Sequence, residues 1–146
     1  MKKHLIFLVV LLISSSCLNY IPCRGQDYII EDITHQELIE KFNDFREKHP
    51  EYKSDPDYIN EHVPHYYIEL YWKDLDLEIH CDIHIGDQIP NHPTHLNFLL
   101  VRDSTEEYKD INSKELEKEQ NEEYKTKFET EILDVLGVKW KRKSCW

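Results

Sequence analysis

The clearest pattern in the chain is an alternation of apolar and polar positions between Tyr66 and Ile85. Tyr66, Ile68, Leu70 and Trp72 alternate with more polar residues. After Lys73-Asp74 the phase changes, and Leu75, Leu77, Ile79, Cys81, Ile83 and Ile85 alternate with Asp76, Glu78, His80, Asp82 and His84. A period of two with one apolar and one polar face predicts half-buried strands of an antiparallel sheet and argues against a parallel sheet covered on both sides. The phase change predicts a tight hairpin that keeps both strands on the same core. Leu96 to Arg102 predicts a third strand, with Leu96, Phe98 and Leu100 toward the core and Leu99 and Val101 on a partly apolar second face.

Helical periodicity flanks these strands. Thr34 caps a helix whose third residue is Glu37, Ile33 and Leu38 have the spacing of a hydrophobic staple, and Leu38, Ile39, Phe42 and Phe45 form the apolar stripe. The helix is predicted over His35 to Lys48, stopping before Pro50. A second helix is predicted from a cap at Asn112, with Glu115 as its third residue, to Gly137. Its apolar stripe is thin before Tyr124, so its first half is expected to face solvent or a partner, with Glu123 and Lys127 spaced as a surface ion pair. Residues 50–64 carry Pro50, Pro56 and Pro64 and predict a long loop; Val138 to Trp146 predicts a short strand or tail. The expected fold class is α+β: helix, three-stranded antiparallel sheet, helix, short C-terminal strand or tail, in a single domain over residues 26–146.

The first residues change the picture of where this domain works. Lys2 and Lys3 precede nine apolar residues, Leu5 to Ile13, the length of a signal-peptide core and about half a membrane span. Two processing sites compete. Cleavage near Cys23-Arg24-Gly25 makes residues 1–25 the signal peptide and starts the mature chain at Gln26 or Asp27. Alternatively, Ser14-Ser15-Ser16-Cys17 resembles the box in which bacterial lipoproteins carry their acylated cysteine, with Ile13 one position ahead of the usual aliphatic site. That resemblance implies a leader of residues 1–16 and lipidation of Cys17. The protein is therefore expected to be exported, as a periplasmic, secreted or lipid-tethered envelope protein.

The leader holds three of the 18 Lys and Arg residues and none of the 29 Asp and Glu, so the exported domain carries a charge of about -14. The order helix, strands, helix is similar to that of the double-stranded-RNA-binding module. Such a charge, with no basic patch, excludes the nucleic-acid role that the likeness implies. It favours a protein partner with a basic surface, a cationic ligand, or no charged partner at all, the charge then serving only to keep a small domain soluble. The basic tail, Lys139, Lys141, Arg142 and Lys143, is read as neutralising nearby carboxylates. Cleavage after Gly25 leaves Cys81 and Cys145, which in an oxidising compartment most simply form a disulfide, worth about 4 kcal/mol for its loop length.

Candidate chemistry is sparse. The sequence has no G-x-S-x-G, H-E-x-x-H or phosphate-binding glycine loop, and neither an enzyme activity nor a cofactor is expected. Cys81 lies in the apolar register, opposite His80 and His84, which disfavours a nucleophilic role. His80, Asp82 and His84 share one strand face, near His92 and His95, and their chemistry suits a metal such as zinc; spacing alone is weak evidence, and the solvent face of an amphipathic strand in a chain rich in Asp, Glu and His accounts for them without a metal. The expected function is that of an acidic protein-binding module, an inhibitor or immunity-like accessory of a basic partner. Its contacts are drawn from the long loop (Glu51, Asp55, Asp57, Tyr58, Glu61) and the second helix (Glu117, Glu119, Glu122, Glu123). The alternatives are a small-ligand or metal-binding envelope protein and a structural envelope component.

Overall fold

The computed structural model describes residues 24–54, 65–84 and 92–144 and the backbone of residues 61–62. In chain order the elements are β1 (Gln26–Glu31), α1 (His35–Lys48), a 3-10 turn (Pro50–Tyr52), β2 (Glu61–His62), β3 (His65–Trp72), β4 (Leu77–His84), β5 (Thr94–Asp103), β6 (Tyr108–Asp110), α2 (Lys118–Phe128) continued by a π turn (Glu129–Leu133), and β7 (Lys139–Arg142). The strands form an antiparallel sheet of order β2-β3-β4-β5-β1-β7, to which β6 adds beside β5.

This corrects the expected three-stranded sheet: the chain is strand-rich, with six strands on the main path and two helices. The missing strand of greatest consequence is β1, which carries only Tyr28 and Ile30 as inward apolar residues, too few to announce a period of two. It is needed because β5, ten residues long, would otherwise present an unpaired edge of backbone donors and acceptors. The first half of β5 pairs with β1 and the second half with β6, so one edge is covered by two strands in succession.

The core lies on one sheet face. Tyr28 and Ile30 of β1, Ile68, Leu70 and Trp72 of β3, Ile79, Cys81 and Ile83 of β4, and Leu96 and Phe98 of β5 are all buried there. Leu38, Phe42 and Phe45 of α1 and Tyr124 and Phe128 of α2 cover them. Phe128 stacks on Phe98 with ring centroids 4.7 Å apart and approaches Tyr28 at 5.7 Å, while Trp72 meets Phe98 edge-on at 6.0 Å. Such aromatic pairs add to the stabilisation from area burial alone.

Local rules set the helix ends. In α1 the Thr34 hydroxyl accepts from Glu37 N at 3.2 Å and the Glu37 carboxylate accepts from Thr34 N at 2.7 Å, the reciprocal box expected. Helix α2 begins later than expected, after Glu117. Asn112 is not its cap but a left-handed residue (φ 64°) whose side chain donates to Gly25 O at 2.9 Å. Nor does Lys127 pair with Glu123: its Nζ reaches Asp74 at 2.8 Å and Glu131 at 2.6 Å and sits 5.6 Å from the Trp72 ring. After Phe128 the π turn closes with Asp134 N donating to Glu129 O at 2.8 Å, and the following turn ends at Gly137 (φ 66°).

Two details of the sheet also differ from expectation. The β3–β4 hairpin uses a four-residue turn with Asp76 in the left-handed region (φ 53°), so Leu75 belongs to the turn. The pairing of β4 with β5 shifts by one residue between His80 and Cys81, leaving Leu99 without a partner on β4. This bulge inverts the alternation downstream, burying Val101 and placing Leu100 on the other face. Among the described residues no helix is long and apolar enough to cross a membrane.

Candidate functional site

The sheet face opposite the helices is polar. Register places His65 beside His84, Tyr67 beside Asp82, Glu69 beside His80 and Tyr71 beside Glu78 across β3 and β4. Asn97 of β5 stands next to Asp82 on one side and Asp27 of β1 on the other. Four strands thus deliver Asp27, His65, Asp82, His84, His95 and Asn97 to one open concavity of about 350 Å³.

Within it, His65 Nδ1 lies 2.5 Å from Asp82 Oδ2, and the His65 and His84 rings meet edge-on at 4.9 Å. His95 Nδ1 is 3.9 Å from Asp27 Oδ2, and Lys143 Nζ approaches the same oxygen at 3.4 Å. Asp82 is only 6% exposed, and this burial raises its carboxyl pKa despite the pull of His65. Burial likewise lowers the pKa of His95. A second cluster lies farther along the strands, where His80 Nδ1 is 3.3 Å from Glu69 Oε1 and its Nε2 is 3.7 Å from Glu78 Oε2. Arg102 closes on Glu78 and stands over the Tyr108 ring at 5.4 Å. Burial lowers the pKa of His80 and, with the neighbouring Glu78 charge, raises that of Glu69.

The expected metal ligands therefore divide between two clusters. His80 joins Glu69 and Glu78, while Asp82 and His84 join His65. Residues two apart on a strand are separated by about 6.8 Å, too far for three in a row to meet on one ion, whereas cross-strand neighbours approach more closely. Among the described residues no group of three or more His, Cys, Asp or Glu side chains is placed to hold a metal ion. What the concavity offers is hydrogen bonding from imidazoles, carboxylates and a carboxamide. His65, Asp27 and Asn97 were not singled out from the sequence because their convergence depends on a register spanning four strands.

The other singled-out residues are dispersed. Glu51 is exposed on the 3-10 turn beside His49, at 3.3 Å. Its neighbour Tyr52 donates to Glu131 at 3.0 Å, which lies about 20 Å along the helix from Glu117. Asp55, Asp57, Tyr58 and the Glu61 side chain lie outside the described residues, as do Cys17 and Cys145. Glu117, Glu119 and Glu123 are exposed, whereas Glu122 is held by Lys125 at 2.5 Å and Arg142 at 2.8 Å. Cys81 is fully buried as a free thiol, donating to Ile68 O at 3.6 Å, and burial raises its pKa strongly. Between its strand and β7 stand β5 and β1.

The half-buried imidazoles give a pH dependence of stability. His80 and His95 have folded-state pKa values below 6.5. Above that pH both states are neutral there; as pH falls, the unfolded chain takes up protons first, and stability declines until the folded-state pKa values are passed. Asp82 and Glu69 act oppositely at lower pH, because their raised folded-state pKa values make protonation favour the fold. Urea unfolding at successive pH values is expected to show a loss of stability from pH 7 toward pH 5.5 that His80→Gln makes shallower. An unchanged slope in His80→Gln would count against a lowered pKa at the half-buried His80.

No protein-family model, no curated protein and no solved structure matches this chain.

Proposed function

We propose that this chain is an exported, acidic protein-binding module whose contact surface includes the first half of α2. The supporting observation is where the cations go. Lys125 and Arg142 bind Glu122, Arg142 also binds Glu129, and Lys127 binds Asp74 and Glu131. Lys139, Lys141 and Lys143 bind Asp32, Glu31 and Asp27. The basic tail is thus spent on the domain's own carboxylates, while Glu117, Glu119 and Glu123, with Lys118 between them, stay exposed and receive none of these cations. Glu119 and Glu123 are one helical turn apart on the same side, a like-charge spacing that costs an isolated helix about 0.2–0.5 kcal/mol. A partner with a basic surface would offset that repulsion and be steered by the net charge.

Native mass spectrometry of the C-terminally tagged protein, recovered from its exported fraction, is expected to show a discrete second polypeptide. The triple substitution Glu117→Lys, Glu119→Lys, Glu123→Lys is expected to weaken that complex by about tenfold or more and to flatten its salt dependence. Equal affinity in the triple variant would reject the electrostatic reading. The open concavity lined by His65, Asp82, His84 and His95 favours a second reading, a small polar ligand. In the same spectrum that ligand would appear as a small added mass unaffected by the α2 substitutions.

A further inference from the structure

The two competing cleavage sites differ in whether Gly25 belongs to the leader or to the domain, and Gly25 is built into the fold. Its N–H donates to Ile111 O at 2.9 Å, at the point where β6 ends, and its carbonyl accepts from Asn112 Nδ2 at 2.9 Å. Its backbone is left-handed (φ 81°), and a Cβ there would stand 2.3 Å from Asn97 Oδ1 and 2.9 Å from the Phe98 carbonyl oxygen. The second of these is backbone and cannot swing away, so the position requires glycine for both its conformation and its close approach to β5.

The groups that hold Gly25 are themselves held. Asn112 N donates to Asn121 Oδ1 at 2.7 Å, and Asn112 Oδ1 accepts from the buried Lys125 Nζ at 2.9 Å. Asn121 Nδ2 in turn donates to Leu116 O at 3.2 Å. Gly25 therefore closes a hydrogen-bonded network that fixes the segment leading into α2. Before it, Arg24 Nε lies 3.5 Å from Asp110. After it, Gln26 is only 6% exposed and donates from Nε2 to Lys143 O at 3.1 Å, linking the start of β1 to the end of β7.

Cleavage after Gly25 would remove the partner of Ile111 O, would leave Asn112 Nδ2 with only its longer contact to Gln26 Oε1 at 3.4 Å, and would place a new ammonium group on the buried Gln26. Unpaired polar groups and buried charges are among the most unfavourable changes a small domain can suffer. We propose that the leader is removed upstream of Arg24, so that Arg24 and Gly25 remain part of the folded, exported domain. This rests on the export reading and chooses between its two processing sites: cleavage after Gly25 is excluded. Ser14 and Ser16, spaced as the small residues of a signal-peptidase site, point to a cut before Cys17.

Two measurements on the full chain from Met1, carrying a C-terminal tag, test it. Intact-mass analysis with N-terminal peptide mapping of the protein from envelope and periplasmic fractions is expected to find a first residue at or before Arg24. A first residue of Gln26 or Asp27 overturns the proposal. A chain found only in the cytoplasm with Met1 and the leader intact sinks the export reading itself and this inference with it, a result that the mass distinguishes from the previous one. The second measurement compares the exported wild type with Gly25→Ala. Were Gly25 part of the leader, both genes would yield the same mature protein with the same melting temperature. If Gly25 is retained, the variant is expected to melt at least about 4 °C lower, or to leave little folded material. Identical masses and melting temperatures would overturn the proposal.

Discussion

Replacing Phe128 by alanine is expected to lower the unfolding free energy by about 3–5 kcal/mol, a large share of the roughly 5–15 kcal/mol typical of a small domain. The residue is fully buried at the end of α2 and stacks on Phe98 of β5 while touching Tyr28 of β1. Removing its ring opens a cavity at the meeting point of the helix and two adjacent strands, where neighbours fixed by sheet hydrogen bonds cannot collapse to fill it. Val135, 51% exposed just beyond the π turn, serves as the control, and Val135→Ala should leave stability nearly unchanged. The measurement is equilibrium unfolding in urea with each variant. A loss below about 1 kcal/mol for Phe128→Ala would contradict the packing of α2 over the junction of β5 and β1, and with it the six-strand sheet.

The elements that were legible in the sequence are those whose signal is local. Strands β3 and β4 announce themselves through nearly unbroken alternation, and α1 through Thr34, Glu37 and the stripe ending at Phe45, because each pattern is read within one element. The elements that were not legible depend on contacts between distant residues. Gln26 to Glu31 becomes a strand because the long β5 offers it an edge, which nothing in those six residues states. The run Leu96 to Val101 is apolar at too many positions to reveal which residue is bulged, and only pairing with β4 selects Leu99. Asn112 has the composition of a helix cap, yet tertiary contacts with Gly25 and Lys125 hold it in a left-handed turn six residues before α2 begins.

The candidate site divides the same way. That the β4 face would be polar was readable from its alternation. Which side chains would join Asp82, His84 and His95 was not, because His65, Asp27 and Asn97 come from three other strands whose register had to be known first. The acidic helix segment was visible as composition, but the diversion of Lys127 toward Asp74 and of Arg142 toward Glu122 required the fold. Those diversions sharpen the proposed contact surface, removing Glu122 from it and leaving Glu117, Glu119 and Glu123.

The other large effect is expected where the C-terminal strand is riveted to the core. Glu129, 7% exposed, accepts from Tyr28 OH at 3.0 Å and from both Nε and Nη2 of Arg142, the latter at 3.0 Å. Glu129 stands where α2 passes into the π turn, its N–H still bonded to Lys125 O and Thr126 O, and Arg142 of β7 reaches its carboxylate with two nitrogens. Arg142→Met keeps much of the side chain's apolar volume but leaves a nearly buried carboxylate with Tyr28 as its remaining partner. Breaking such a pair costs about 3–5 kcal/mol when both members are buried; because Arg142 is 32% exposed, the expected loss is about 2–3 kcal/mol. Adding Glu129→Gln should recover part of it, since the double variant no longer buries an uncompensated charge, and the recovery measures the coupling directly. Salt separates this contact from its neighbours: the exposed Lys139–Asp32 and Lys141–Glu31 pairs are screened, while the Arg142–Glu129 deficit should persist at high ionic strength. Urea unfolding of the four proteins at low and high salt gives the cycle, and a strictly additive result would place Glu129 and Arg142 outside each other's influence.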